Sequence, residues 1–154
     1  MMKAELSKEF VIRIPNRIGL LAEVCETIAE EGATIWEATC LVEGKDAIFH
    51  IATDHHAHIV QVFKNKKMEV HERPVVLVEV THQRGILALL TGTLKAAGID
   101  IRHFNVTALT TVPSCVVALC CSDNKRAVEE INRKAASIPT DKKFEYHPAQ
   151  AVAR

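Results

Sequence analysis

One stretch occurs twice in this chain, and it constrains the fold more than any other feature. Residues 14–35 read IPNRIGLLAEVCETIAEEGATI, and residues 80–101 read VTHQRGILALLTGTLKAAGIDI. Gly19 aligns with Gly85, Leu21 with Leu87, Ala22 with Ala88, Thr27 with Thr93, Gly32 with Gly98 and Ile35 with Ile101, all at an offset of 66. A constant offset of this size marks a duplicated structural unit.

Periodicity predicts the elements of each copy. In the first, 9–14 (EFVIRI) reads as a strand. Leu21, Val24, Cys25 and Ile28 recur at helical spacing and predict a helix over 19–31, closed by Gly32. Alternation predicts a strand over 34–42, a turn at 43–45 and a returning strand over 46–53. Asp54 is the expected cap of a helix over 55–64, and 67–72 closes the copy as a strand. The second copy repeats the order: strand 75–80, helix 85–97, strand 99–109, turn 110–113, strand 114–121, helix 124–135 capped at Ser122 or Asp123, and a weaker strand over 143–147. The expected units are 1–73 and 74–148, separated only by Glu72-Arg73-Pro74, with 149–154 a frayed tail.

The order βαββαβ, with right-handed crossovers, puts both helices of a unit on one face of a four-stranded antiparallel sheet. The class is therefore α+β. VVLV at 75–78 is apolar on both sides, so the uncovered sheet face asks for a further cover, and a homodimer is expected.

Composition excludes several functions. Lys+Arg and Asp+Glu are both 19 and aromatics are 5%, which argues against a nucleic-acid surface. No apolar run reaches the roughly 20 residues of a membrane helix. The start, MMKAELSKEF, carries no long apolar segment, and a cytoplasmic location is expected. No phosphate loop, G-x-S-x-G, HExxH or CxxC occurs, so neither enzyme activity nor a cofactor is expected.

The duplicated N-R-I-G-L-L-A-E-V and E-E-G-A-T-I segments resemble the ACT domain, a small regulatory module of amino-acid biosynthetic enzymes. The resemblance spans about residues 9–147 and implies two ferredoxin-like units. ACT domains show an Asp or Asn, a variable residue, Pro and Gly at the first strand–helix corner, and G-x-[ND]-I at the helix exit. Here the proline position holds Ile18 and Arg84, and the acidic or amide position holds Asn16 and His82.

A helix start leaves about four backbone N–H groups without helical partners and carries partial positive charge, which suits a carboxylate. The resemblance implies a small-molecule ligand, expected to be an amino acid, between paired units. Asn16, Arg17, Ile18, Gly19 and Leu20 would form one corner and His82, Gln83, Arg84, Gly85 and Ile86 the other. Thr34 and Asp100, at the helix exits, would offer acceptors to an α-amino group. The signal would pass to a regulated enzyme or a transcription partner. In the alternative, the corners hold chains together and the protein is an assembly module without ligand.

Three other groups carry less. DHHAH at 54–58 reads as a solvated polar face, and no metal is expected. Cys25, Cys40, Cys120 and Cys121 lie in apolar stretches, and with Cys115 they read as reduced, buried hydrophobes. Trp36, the only tryptophan, is the expected one-sided interface anchor.

Overall fold

The computed structural model describes residues 2–81, 83–107 and 114–138. In chain order the elements are β1 (Met2–Pro15), α1 (Leu20–Glu30), β2 (Ile35–Glu43), β3 (Asp46–Thr53), α2 (His56–Asn65), β4 (Val70–Thr81), α3 (Ile86–Ala96), β5 (Ile101–Thr107), β6 (Ser114–Cys121) and α4 (Asn124–Ala136). The class is the expected α+β, and the order within each copy is ferredoxin-like.

The chain forms two units. One is Ser7–Pro74; the other runs from Val75 onward and includes residues 2–6. In the first, the strand order is β2-β3-β1-β4, and antiparallel pairing sets Phe10 opposite Ile51 and Cys40 opposite Phe49. Phe10, Ile12, Phe49 and Ile51 point to the helices and pack with Leu20, Val24, Ile28, Ile59 and Phe63. In the second the order is β1-β4-β6-β5, with Leu77 opposite Ala118 and Phe104 opposite Leu119. Val76, Val78 and Val80 join Leu90 and Leu94 of α3 and Ile131 of α4.

The structure revises the predicted elements at four places. β1 starts at Met2, not at residue 9. The second unit thus takes its outer strand beside β4 from residues 2–6, whereas 1–73 was the expected first unit. The predicted strand 143–147 and the tail lie outside the described residues. The chain divides into units after Pro74, but within a strand: β4 runs through Glu72-Arg73-Pro74 from Val70 to Thr81. Proline's fixed φ suits an extended chain, and its missing N–H is tolerated on the outer strand of the Ser7–Pro74 unit.

Third, Asp54 does not cap α2. The N-cap is His55, at φ 50, with no side-chain cap. At α4 the expected capping works through Asp123, whose carboxylate accepts from Arg126 N at 3.0 Å. Fourth, Cys25 and Cys40 are exposed; only Cys115 and Cys121 are buried, and all five thiols are free. The apolar stripe of α1 runs through Leu20, Val24, Thr27 and Ile28, which leaves Cys25 on its flank.

Val75, Leu77 and Ala118 form a small separate cluster on the sheet face turned away from α3 and α4. They are buried within the single chain. The apolar pattern at 75–78 therefore needs no second molecule to account for it.

Candidate functional site

After Pro15 and after Thr81 the chain turns out of a strand into a helix. Both turns use a glycine with left-handed backbone, Gly19 at φ 86, ψ −6 and Gly85 at φ 87, ψ −4. An L side chain in that region costs about 1–2 kcal/mol. No atom lies within 4 Å of the position a Cβ on Gly19 would take, so the demand is conformational rather than steric.

No side chain caps either helix. The Leu20 and Ile86 amides donate to Arg17 O and Gln83 O, each at 3.2 Å. The amides of Leu21 and Ala22 at one corner, and of Leu87 and Ala88 at the other, meet no backbone carbonyl among the described residues. Two short arrays of donors therefore stand at the positive ends of α1 and α3.

The helix exits repeat as closely as the starts. Gly32 and Gly98 take φ 70 and 68, and the next amides reach back five residues, Ala33 N to Ile28 O at 3.2 Å and Ile99 N to Leu94 O at 2.9 Å. This is a Schellman ending. Thr34 and Asp100 are then latched to the end of the neighbouring strand. Asp54 accepts from Thr34 N at 2.7 Å and returns its own amide to Thr34 O at 3.2 Å. Ser122 Oγ accepts from Asp100 N at 3.1 Å, and Ser122 N donates to Asp100 O at 2.9 Å. One residue further on, register shifts between Ile35 and Glu37 and between Ile101 and His103 leave Trp36 and Arg102 as the extra residues of matched bulges. A bulge re-aims a side chain, and Trp36 keeps 48% of its surface exposed.

The corners differ in chemistry. At the first, Asn16 N donates to Lys45 O at 2.7 Å and ties the corner to the β2–β3 turn. The Arg17 guanidinium pairs with the Glu23 carboxylate across the start of α1. Ile18 is fully exposed and Leu21 half exposed. At the second, Gln83 and Leu89 stand where the first has Arg17 and Glu23. There a concavity of about 370 Å³ opens, lined by Gln83, Gly85, Ile86, Leu87, Val106 and Cys115, with Ala88 at its edge. Burial pushes the Cys115 thiol up, so this wall is neutral.

No protein-family model and no curated protein matches the sequence. Solved structures do. A Bacteroides thetaiotaomicron protein is similar over 86% of this chain and 90% of its own, at TM-score 0.77 and 22% identity. The ligand-free regulatory subunit of aspartate kinase from Thermus thermophilus is similar over 84% of this chain and 93% of its own, at TM-score 0.63 and 15% identity. That of Thermus flavus is similar over 87% and 96%, at TM-score 0.57 and 16% identity. The fold is a tandem ACT fold.

Within that ACT fold, Asn16, Arg17, Ile18, Gly19, Leu20 and Thr34 belong to the Ser7–Pro74 unit, and Gln83, Arg84, Gly85, Ile86 and Asp100 to the other. His82 lies outside the described residues. Leu20 and Ile86 are buried and pack in the two cores, and Ile86 also lines the concavity. Periodicity did not single out Leu87, Ala88, Val106 or Cys115 as site residues; aligning the two copies marks Leu87 and Ala88, but nothing local marks Val106 or Cys115. Two of the three histidines of 54–58 are engaged with carboxylates, His56 with Glu72 at 3.0 Å and His58 with Glu31 at 2.6 Å.

Proposed function

We propose that this chain is a regulatory protein that senses a small molecule, an amino acid, at its ACT corners and signals through altered pairing of units or subunits. The observation that carries the reading is the repeated corner: a left-handed glycine followed by helix-start amides that no backbone carbonyl among the described residues takes up. Such donors suit an α-carboxylate, and Asn16, Thr34, Gln83 and Asp100 offer acceptors for an α-ammonium group. A ligand that binds one pairing better shifts its population, with a coupling of roughly 1–3 kcal/mol. The similarity to aspartate kinase regulatory subunits supports a regulatory rather than a catalytic role, exerted on a partner enzyme.

The test is a thermal-shift screen of the full chain against the twenty amino acids. A concentration-dependent rise for one or a few is expected. Gly85→Ala should remove it while circular dichroism reports an unchanged fold. A flat response across the panel would favour a second reading, supported by the fully exposed Ile18 and half-exposed Leu21: the corners hold neighbouring chains, and the protein is an assembly module without ligand.

A further inference from the structure

The two corners share one backbone and differ in what surrounds it, and that difference speaks to specificity. We infer that the second corner is the ligand site and that it takes an α-amino acid with an aliphatic side chain. This rests on the reading above and narrows it. The concavity of about 370 Å³ lies at the start of α3, between its first turn and the facing ends of β5 and β6, where Val106 and Cys115 stand. Its size falls at the lower end of the roughly 300–1,000 Å³ usual for small-molecule sites.

Apart from Gln83, the lining side chains are apolar or a protonated thiol. Gln83 offers one carbonyl oxygen, enough for an α-ammonium group. The Leu87 and Ala88 amides, which no backbone carbonyl among the described residues takes up, suit the carboxylate. That leaves Leu87, Val106 and Cys115 for the side chain. A lysine or aspartate side chain would be drawn out of water with no counter-charge among the described residues of this wall.

The first corner is arranged otherwise. Arg17 and Glu23 occupy each other there, and the backbone is tied to Lys45. Cys40, at the position of Val106, is exposed on β2.

The experiment is a thermal-shift and ¹⁵N NMR titration of the full chain with valine, isoleucine and leucine against lysine, threonine, aspartate and glutamate. At about a hundredfold excess over Kd, an aliphatic amino acid should raise Tm by roughly 5 °C or more. The amides of Gly85, Leu87 and Ala88 should move, while those of Gly19 and Leu21 stay. Val106→Trp, which fills the concavity, should abolish the rise, and Cys40→Trp should leave it. NMR on the unaltered chain decides the matter even if Val106→Trp fails to fold.

A rise with lysine, threonine, aspartate or glutamate but none with the aliphatic set overturns this inference and leaves the sensor reading standing. Aliphatic binding that moves only Gly19 and Leu21, or that survives Val106→Trp in a folded protein, overturns the placement. No rise with any of the twenty amino acids removes both.

Discussion

Asn132 holds Ala4 by both of its backbone polar groups. Ala4 N donates to Asn132 Oδ1 at 2.9 Å, and Asn132 Nδ2 donates to Ala4 O at 2.8 Å. One side chain on α4 thus does for β1 what a neighbouring strand would do, across 128 positions of sequence. Met2 and Ala4 are buried in the core that α4 shares with β4 and α3. Asn132→Ala leaves a partly buried N–H and C=O unpaired, which costs about 1–3 kcal/mol. Deleting residues 2–6 removes the strand as well and should cost more. Urea unfolding followed by circular dichroism should show both losses at unchanged concentration, and a deletion as stable as the full chain would refute the assignment of this strand.

Glu9 sets a limit on acid tolerance. Its carboxylate is fully buried and pairs with Arg73, and His50 Nδ1 lies 3.7 Å away. Burial alone would push its pKa up, but the hydrogen bond and charge of Arg73, with the His50 ring beside them, outweigh it and hold the carboxyl below its ordinary value. Because the folded value is the lower one, the stabilisation is present above the unfolded pKa and is lost as pH falls through the folded one. Glu9→Gln should therefore flatten the fall in stability below about pH 4.5. At neutral pH it should cost about 2–3 kcal/mol by leaving Arg73 without its anion. Unfolding free energies from pH 3 to 7 on both proteins check this.

The glycines divide into two kinds. Gly19→Ala should cost about 1–2 kcal/mol because its φ of 86 is left-handed. Gly92 lies inside α3, has no positive φ and would meet no atom within 4 Å of an added Cβ. Gly92→Ala should stabilise by about 1 kcal/mol through the gain in helix propensity. Opposite signs in chemical denaturation are the expected outcome.

The helix-exit latches should differ in strength. Asp54 receives the Thr34 amide on a charged oxygen, whereas Ser122 offers a hydroxyl to Asp100. Asp54→Ala should cost about 1–2 kcal/mol and Ser122→Ala about 0.5–1 kcal/mol. Hydrogen exchange at the Thr34 and Asp100 amides should speed up in the respective variants.

Thiol reactivity follows exposure. Cys25 and Cys40 are exposed. The Cys40 thiol is pushed up by burial and by its neighbour Cys25, which slows it. Burial first, then the charges of Cys120 and Asp100, push Cys121 up to about 11. In the native protein a maleimide should modify Cys25 first and Cys40 more slowly, with Cys121 labelled only on unfolding, as peptide mass spectrometry would show.

The duplicated stretch made the corners, the helix exits and the α+β class readable before any coordinates, because each rests on local chemistry: glycine at left-handed positions and apolar residues at helical or alternating spacing. What escaped depends on partners distant in sequence. MKAEL shows only two turns of alternation, and its partner Asn132 is far along the chain. Asp54 is the right residue for an N-cap, yet the left-handed backbone at His55 frees its carboxylate for Thr34. Cys25 fits helical spacing, but that spacing does not tell a buried stripe from its flank. The concavity beside Leu87 needed β5 and β6 placed before Val106 and Cys115 could be brought to it.

The placement of residues 2–6 has a consequence for how the protein is made. Residues 2–6 can pair with β4 early, but their bonds to Asn132 have to wait until α4, beyond residue 124, has been made. The closure that joins residues 2–6 to α4 is a contact of high sequence separation and hence a late and slow one. A change that weakens the Ala4–Asn132 contact would burden that closing step in particular.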